Sequence, residues 1–176
     1  MQKAIELFIH TVQSQAPFRE GVTQTYWVGS ELVSRVVNQL HLDGWKATFH
    51  DPASRLEFLS LSRESHAGVF IEKIPDDWDG VRVQRLLASL FSAIHPGGVV
   101  FLGYEKLEDM AILAWFRQAG FEALQQGFSG SLKATLARRI GGVPSRITSA
   151  HSRTDDVAED WNDLAKGSHS GSSSTH

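Results

Sequence analysis

The stretch from Ile94 to Arg139, IHPGGVVFLGYEKLEDMAILAWFRQAGFEALQQGFSGSLKATLARR, constrains the fold more than any other part of the chain. Pro96 has no amide hydrogen and cannot continue the helix that carries Ile94. The Gly97-Gly98 pair supplies the backbone freedom for a sharp reversal into Val99-Val100-Phe101-Leu102. An uninterrupted apolar run of this kind suits a central parallel strand covered on both faces. A helix is expected next, from about Glu105 to Gln118, with Leu107, Met110, Ala111 and Ala114 inward. Residues Phe121–Phe128 and Leu132–Ala137, split by Ser129-Gly130, then form a closing antiparallel hairpin.

Upstream, Ile5, Phe8, Ile9 and Val12 recur at helical spacing and predict an opening amphipathic helix, broken by Pro17 and Gly21. Val22–Val28 has the β-branched and aromatic content of a first strand, and Gly29-Ser30 turns the chain, with Ser30 as N-cap. Leu32 or Val33, Val36, Val37 and Leu40 make the buried stripe of a helix that ends near Asp43-Gly44. Trp45–His50 is a second strand closed by Asp51-Pro52. Arg55–Ser62 fits neither period cleanly and is read as a short helix. Gly68–Ile71 is a third buried strand. The polar turn Pro75–Gly80 opens a helix whose stripe is Val83, Leu86, Leu87, Leu90 and Ile94. Alternating strands and helices predict an α/β fold, a three-layer α/β/α sandwich with a mostly parallel sheet and an antiparallel C-terminal hairpin, within one domain at 1–141.

The phrase His95-Pro96-Gly97-Gly98, followed by a strand and then by Ala119-Gly120-Phe121, resembles the C-terminal half of the class I S-adenosylmethionine-dependent methyltransferases. That resemblance implies a Rossmann-like sheet of the methyltransferase type. Too little chain separates Asp51 from Gly68 for a full helix, strand and helix, so one strand, the third of the family pattern, is expected to be missing. The resemblance also implies a cofactor crevice bordered by Gly29, Ser30, Asp51 and Glu72, with S-adenosylmethionine as the cofactor if the chain is active and none otherwise.

In that family the first strand ends in a glycine-rich loop whose backbone closely approaches the cofactor's amino-acid end, where a Cβ would collide. The matching turn, Trp27-Val28-Gly29-Ser30-Glu31, keeps one glycine. Phe49-His50-Asp51-Pro52-Ala53-Ser54 looks like the family element whose acid binds both ribose hydroxyls, although Asp-Pro is equally an ordinary turn starter. Where family enzymes that methylate amino groups of nucleobases or glutamine amides carry Asn/Asp-Pro-Pro-Tyr/Phe, this chain has Glu72-Lys73-Ile74-Pro75, which argues against that subclass. His50, His66 and His95 are read as surface or capping residues. No catalytic residue is assigned, and no group has metal-ligand spacing.

A net charge of -3 implies no broad basic surface for nucleic acid, and the absence of cysteine excludes disulfides and thiolate metal sites. The opening segment lacks a signal peptide's apolar core and no stretch reaches membrane-spanning length, so a cytoplasmic location is expected. From 142 to 176 the composition turns polar and the segment reads as a largely disordered tail. Within it, residues 154–166 could form an acidic helix with Val157, Trp161 and Leu164 on one face, either solvated or docked on a hydrophobic groove of this domain or of a partner, the partner being another protein or a second copy. Two functions follow: a noncatalytic methyltransferase-like module for partner binding or scaffolding, or a small divergent methyltransferase acting on a small molecule or carrier-bound intermediate.

Overall fold

The structure, a computed structural model, describes residues 1–39, 44–51, 56 and 61–141. Its elements run α1 (Gln2–Ser14), α2 (Ala16–Arg19), β1 (Gln24–Val28), α3 (Glu31–Gln39), β2 (Lys46–His50), β3 (His66–Ile71), α4 (Gly80–Ala93), β4 (Ile94–Tyr104), α5 (Asp109–Gln118), β5 (Phe121–Ser129) and β6 (Leu132–Arg139). The sheet order is β2-β1-β3-β4-β6-β5. The first four strands pair parallel, and β6 runs antiparallel to both β4 and β5. These are the four parallel strands and the closing hairpin expected from the sequence. Between β2 and β3 no further strand occurs among the described residues, as the short spacing demanded.

Each face of the sheet carries its own core. On one side α1 and α3 bury Ile5, Phe8, Ile9, Val12, Val33 and Val37 against Trp27, Phe70, Val99 and Phe101. On the other, α4 and α5 cover Tyr26, Val69, Ile71, Val100 and Leu102. Alternation along each strand produces this division, because neighbouring side chains point to opposite faces. The first face is built on aromatic rings. Phe49, Trp27, Phe70 and Phe101 sit at paired positions of β2, β1, β3 and β4, with successive centroids 6.1, 5.1 and 4.4 Å apart. Phe8 of α1 meets Trp27 and Phe70 edge-on at 5.0 and 5.4 Å. Gly68 leaves room for that helix, since a Cβ there would lie 2.7 Å from the Phe8 ring.

Several local expectations need correcting. Helix α4 ends at Ala93, not at Ile94, which is already extended and pairs with His66. Ile94 is fully buried as a strand residue, and an apolar side chain at this spacing fits a helix stripe equally well, so its place in the stripe could not tell helix from strand. The Pro-Gly-Gly phrase is accordingly a bulge inside β4: His95 to Gly98 are accommodated opposite Ala67 alone, between the pairs His66–Ile94 and Gly68–Val99. Gly97 takes φ +84°, and a Cβ on Gly98 would come within 2.7 Å of the Ala67 carbonyl oxygen.

The inward face of α5 is Ile112 and Phe116, while Met110 is 72% exposed and Ala114 also faces solvent. The helix starts only at Asp109, and its bulkier residues gain more from burial than the alanines do. Leu107, just before it, does pack on the core. The polar turn Pro75–Gly80 contains a buried residue, Trp78, and ends in Asp79, whose carboxylate accepts the Arg82 N–H at 2.9 Å as the N-cap of α4. The stripe of α3 is as expected, with Val33 rather than Leu32 buried beside Val37 and with Val36 packed against the same core, while Leu40 lies outside the described residues. The short helix expected over Arg55–Ser62 lies mostly outside the described residues.

His66, read from sequence as a surface or capping residue, is buried at the start of β3, with its ring Nδ1 2.7 Å from the Ser65 hydroxyl and edge-on to Tyr26. Burial lowers its pKa, partly opposed by a hydrogen bond to the Ala93 backbone. The unfolded chain, with histidine near ~6.5, therefore binds a proton that the folded chain refuses. Stability is fully present above that value and falls as the pH drops through it towards the lowered folded pKa. Urea unfolding at about pH 7.5 and 5.5 should show this loss, and His66→Asn should lose less over the same interval. Equal losses in the two proteins would show that His66 contributes nothing to the pH dependence.

Candidate functional site

The carboxyl ends of β1, β2 and β3 are drawn together by hydrogen bonds that continue the parallel ladders one residue past the strands. Gly29 N–H donates to the His50 carbonyl at 3.2 Å, and Glu72 N–H donates to the Val28 carbonyl at 2.8 Å. The Ser30 carbonyl accepts the N–H groups of Val33 and Ser34, which makes Ser30 the residue that starts α3, as expected from sequence. Gly29 must stay small, because a Cβ would stand 2.8 Å from Val33 Cγ2 and 3.1 Å from the Glu72 carboxylate.

Glu72 is the centre of the arrangement. Its Oε2 accepts the Ser30 N–H at 2.5 Å, and its Oε1 accepts the Ser30 hydroxyl at 3.1 Å. A carboxylate at the first turn of a helix is favoured by the unpaired N–H groups and by the helix dipole. The acid's backbone is held as firmly as its side chain. Ile74 N–H donates to the Gly103 carbonyl at 2.9 Å, and a Cβ on Gly103 would fall 1.8 Å from the Glu72 carbonyl oxygen, so the 72–74 segment can cross β4 only because residue 103 is glycine. Sequence reading missed Gly103. Its signal is a glycine interrupting the apolar strand Leu102-Gly103-Tyr104, which marks close backbone approach.

Beside Glu72 opens a depression of about 460 Å³ lined by Glu72, Lys73, Ile74, Pro75, Asp76, Glu105 and Leu132. Lys73 spans it, 2.9 Å from Glu105 and 3.2 Å from Asp76, and Lys106 stands 3.9 Å from Asp76. The hydrogen bond to Glu105 is the main cause that raises the Lys73 pKa, so the ammonium stays charged and cannot serve as a base near neutrality. Of the residues expected to border a cofactor crevice, Gly29, Ser30 and Glu72 meet, and only Glu72 also lines this depression. Asp51 follows the last residue of β2 and is exposed. Pro52 to Ser54, and the candidate docking residues Val157, Trp161 and Leu164, lie outside the described residues. Of the histidines, His50 stacks on Tyr26 at 4.9 Å, while His66 and His95 belong to the opposite end of the sheet.

Below the depression, β4 is tied to the hairpin by a polar network. The Tyr104 hydroxyl donates to Asp109 at 3.2 Å and lies 3.4 Å from the Thr135 hydroxyl, and Gln126 donates to both oxygens at 3.4 and 3.3 Å. Lys133 closes the group by donating to the Leu107 carbonyl at 2.8 Å and pairing with Asp109 at 3.2 Å. Among the described residues, no group of His, Asp and Glu could hold a metal ion, and no helix is long and apolar enough to cross a membrane.

No protein-family model matches the chain, and no curated protein does. Solved structures are similar in fold. A Haemonchus contortus phosphoethanolamine N-methyltransferase 2 in complex with S-adenosyl-L-methionine superposes with a TM-score of 0.58 at 12% identity, over 85% of this chain and 40% of that one. A Burkholderia thailandensis 1,6-didemethyltoxoflavin-N1-methyltransferase with bound S-adenosylhomocysteine gives 0.54 at 10% identity, over 77% and 87%. An O-methyltransferase family 2 protein from Planctomyces limnophilus gives 0.53 at 12%, over 66% and 50%. The fold is that of the class I S-adenosylmethionine-dependent methyltransferases.

Tested against that cofactor, the residues at the end of β1 do not fit as they stand. Both donors of Ser30 already face a carboxylate of the chain, and the carboxylate of the cofactor's amino-acid end would meet a like charge there.

The two tyrosines of the chain provide a direct check of the packing around this end of the sheet. Burial raises the pKa of Tyr26, and burial, reinforced by Asp109 and opposed by the hydrogen bonds to Thr135 and Gln126, pushes Tyr104 up to about 12. An alkaline absorbance titration of the folded protein should therefore show no phenol ionising at the ordinary value near ~10. Appearance of half the phenolate signal at that value would mean that one ring is solvated.

Proposed function

We propose that this chain is a noncatalytic methyltransferase-like module that acts by binding a protein partner. The contact of Glu72 with Ser30 carries this reading. Methyl transfer from a sulfonium needs little more than a cofactor held in position in a desolvated site. Here the loop that would do the holding has one glycine, and its donors are spent on Glu72. The adjoining depression offers no substitute, since Asp76 and Glu105 are paired with Lys73. A second reading, a small divergent methyltransferase acting on a small molecule or carrier-bound intermediate, draws on two features: an acid at the end of β2, Asp51, and an open depression at the carboxyl ends of β3 and β4.

Partner binding is assigned to the acidic segment around Trp161. The spacing of Val157, Trp161 and Leu164 would put them on one face of a helix formed on docking, and burying three such side chains contributes several kcal/mol, roughly 1.5–3 for each aliphatic residue, enough to offset ordering a short helix. The flanking Asp155, Asp156, Glu159, Asp160 and Asp163 would keep the rest of such a helix soluble and favour a basic receptor surface, on a partner or on a second copy.

Calorimetric titration of the full chain with S-adenosylhomocysteine should give no saturable heat. Stoichiometric binding would replace this reading with the enzymatic one. Independently, Trp161→Ala should abolish association with the partner or with itself while leaving the circular dichroism of the sheet unchanged. Undiminished association would remove the tail from the proposal.

A further inference from the structure

We propose that Glu72 is a built-in occupant of a carboxylate cradle at the start of α3, closing by an internal contact the crevice that parallel sheets of this type use for ligands. The inference rests on the noncatalytic reading and gives it a physical cause. Three observations support it. The acid comes from the end of β3, 42 residues along the chain from Ser30, so it is not the local capping box in which a helix's own third residue reaches back. Glu31, the acid inside the first turn, does not compete for the donors, because it is exposed and paired outward with Arg35 at 2.8 Å. The cradle also has the fixed shape of a site: Gly29 is excluded from carrying a Cβ by Val33 and by the carboxylate itself, and Gly103 lets the Glu72 backbone pass close over β4.

The blander account makes Glu72 a distant helix cap whose loss merely weakens α3. The two accounts differ in what remains after the carboxylate is removed. A cap would leave a softened helix end that collapses or takes up water. A cradle would leave two convergent donors, the Ser30 amide and hydroxyl, in a space shaped for one carboxylate. A small free monocarboxylate should then enter and restore what the side chain supplied, as anions do at helix N-termini.

The test is chemical rescue. Thermal unfolding of the full chain and of Glu72→Ala is followed while sodium acetate replaces sodium chloride at constant ionic strength. Tm of the variant should start below that of the parent and rise saturably with acetate, and the parent should not respond. Ser30→Ala combined with Glu72→Ala should respond more weakly, because one donor is gone. Glu72→Ser, which keeps a small polar group and vacates most of the space, serves in the same assay if Glu72→Ala does not fold in chloride. No acetate-specific rise in a folded variant overturns the inference and leaves the noncatalytic reading standing. Saturable S-adenosylhomocysteine binding by the unaltered chain overturns that reading itself, so the two failures are distinguishable.

Discussion

The row of rings across the sheet is the interaction on which the rest of the structure depends. Phe49, Trp27, Phe70 and Phe101 occupy one face at paired positions of the four parallel strands, and their contacts couple the register of each strand to the next. A slip of one residue in β1, β3 or β4 would move its ring to the opposite face, where the core under α4 and α5 already fills the space, so these three strands admit a single register. Phe8 then seats α1 on the middle of the row. Because Trp27 is the penultimate residue of β1, the position of its ring also determines where Val28, Gly29 and Ser30 leave the sheet. Even its indole N–H is satisfied within the strand, by the Thr25 hydroxyl at 2.9 Å, so the fully buried ring leaves no polar atom unpaired.

The candidate site is thus reached from two directions by rigid parts. From β1 comes the turn that starts α3; from β3 comes the acid that fills that turn, held by the Val28 carbonyl on one side and by the glycine at 103 on the other. In a cofactor-binding member of this fold such a loop has to leave its donors open. Here the same helix end is satisfied from within. That choice stabilises the fold at the cost of the crevice, consistent with sites that bind being the places where local stability is given up.

Much of the fold was legible because its signals are local. The stripes of α1 and α4, the unbroken apolar run of β4 and the glycines beside Pro96 each follow from periodicity or from one residue's backbone limits. That no further strand stands between β2 and β3 among the described residues agrees with the short length of chain there. What stayed hidden was decided by tertiary contact. Ile94 fits both a helix stripe and a strand, and only its pairing with His66 selects the strand. The inward face of α5 depends on where the helix starts. Trp78 is drawn out of an acidic turn by the core it packs on. Asp51 and Glu72 were both named from the resemblance, yet nothing in the sequence could show that Glu72 turns towards Ser30, because that contact joins segments brought together only by the order of strands β1 and β3.

The opposite end of the sheet shows what a purely structural use of charge looks like in the same molecule. Arg139, at the end of β6, is buried, with its guanidinium stacked over Phe91 at 4.1 Å and bonded to the Ile94 carbonyl and to Glu64. It thereby locks the first residue of β4 and the turn before β3 to the last strand. Burying a guanidinium is tolerable only where most of its donors are met: both terminal nitrogens are bonded here, while the buried Nε has no partner among the described residues. At the Glu72 end the logic differs. There the carboxylate sits beside an open depression and is bonded to donors at a helix start, a place where an exchangeable anion would also be held. The contrast is one of solvent access: a buried clamp has no competitor, whereas the contact at the helix end keeps free carboxylates out only because its own acid is tethered there.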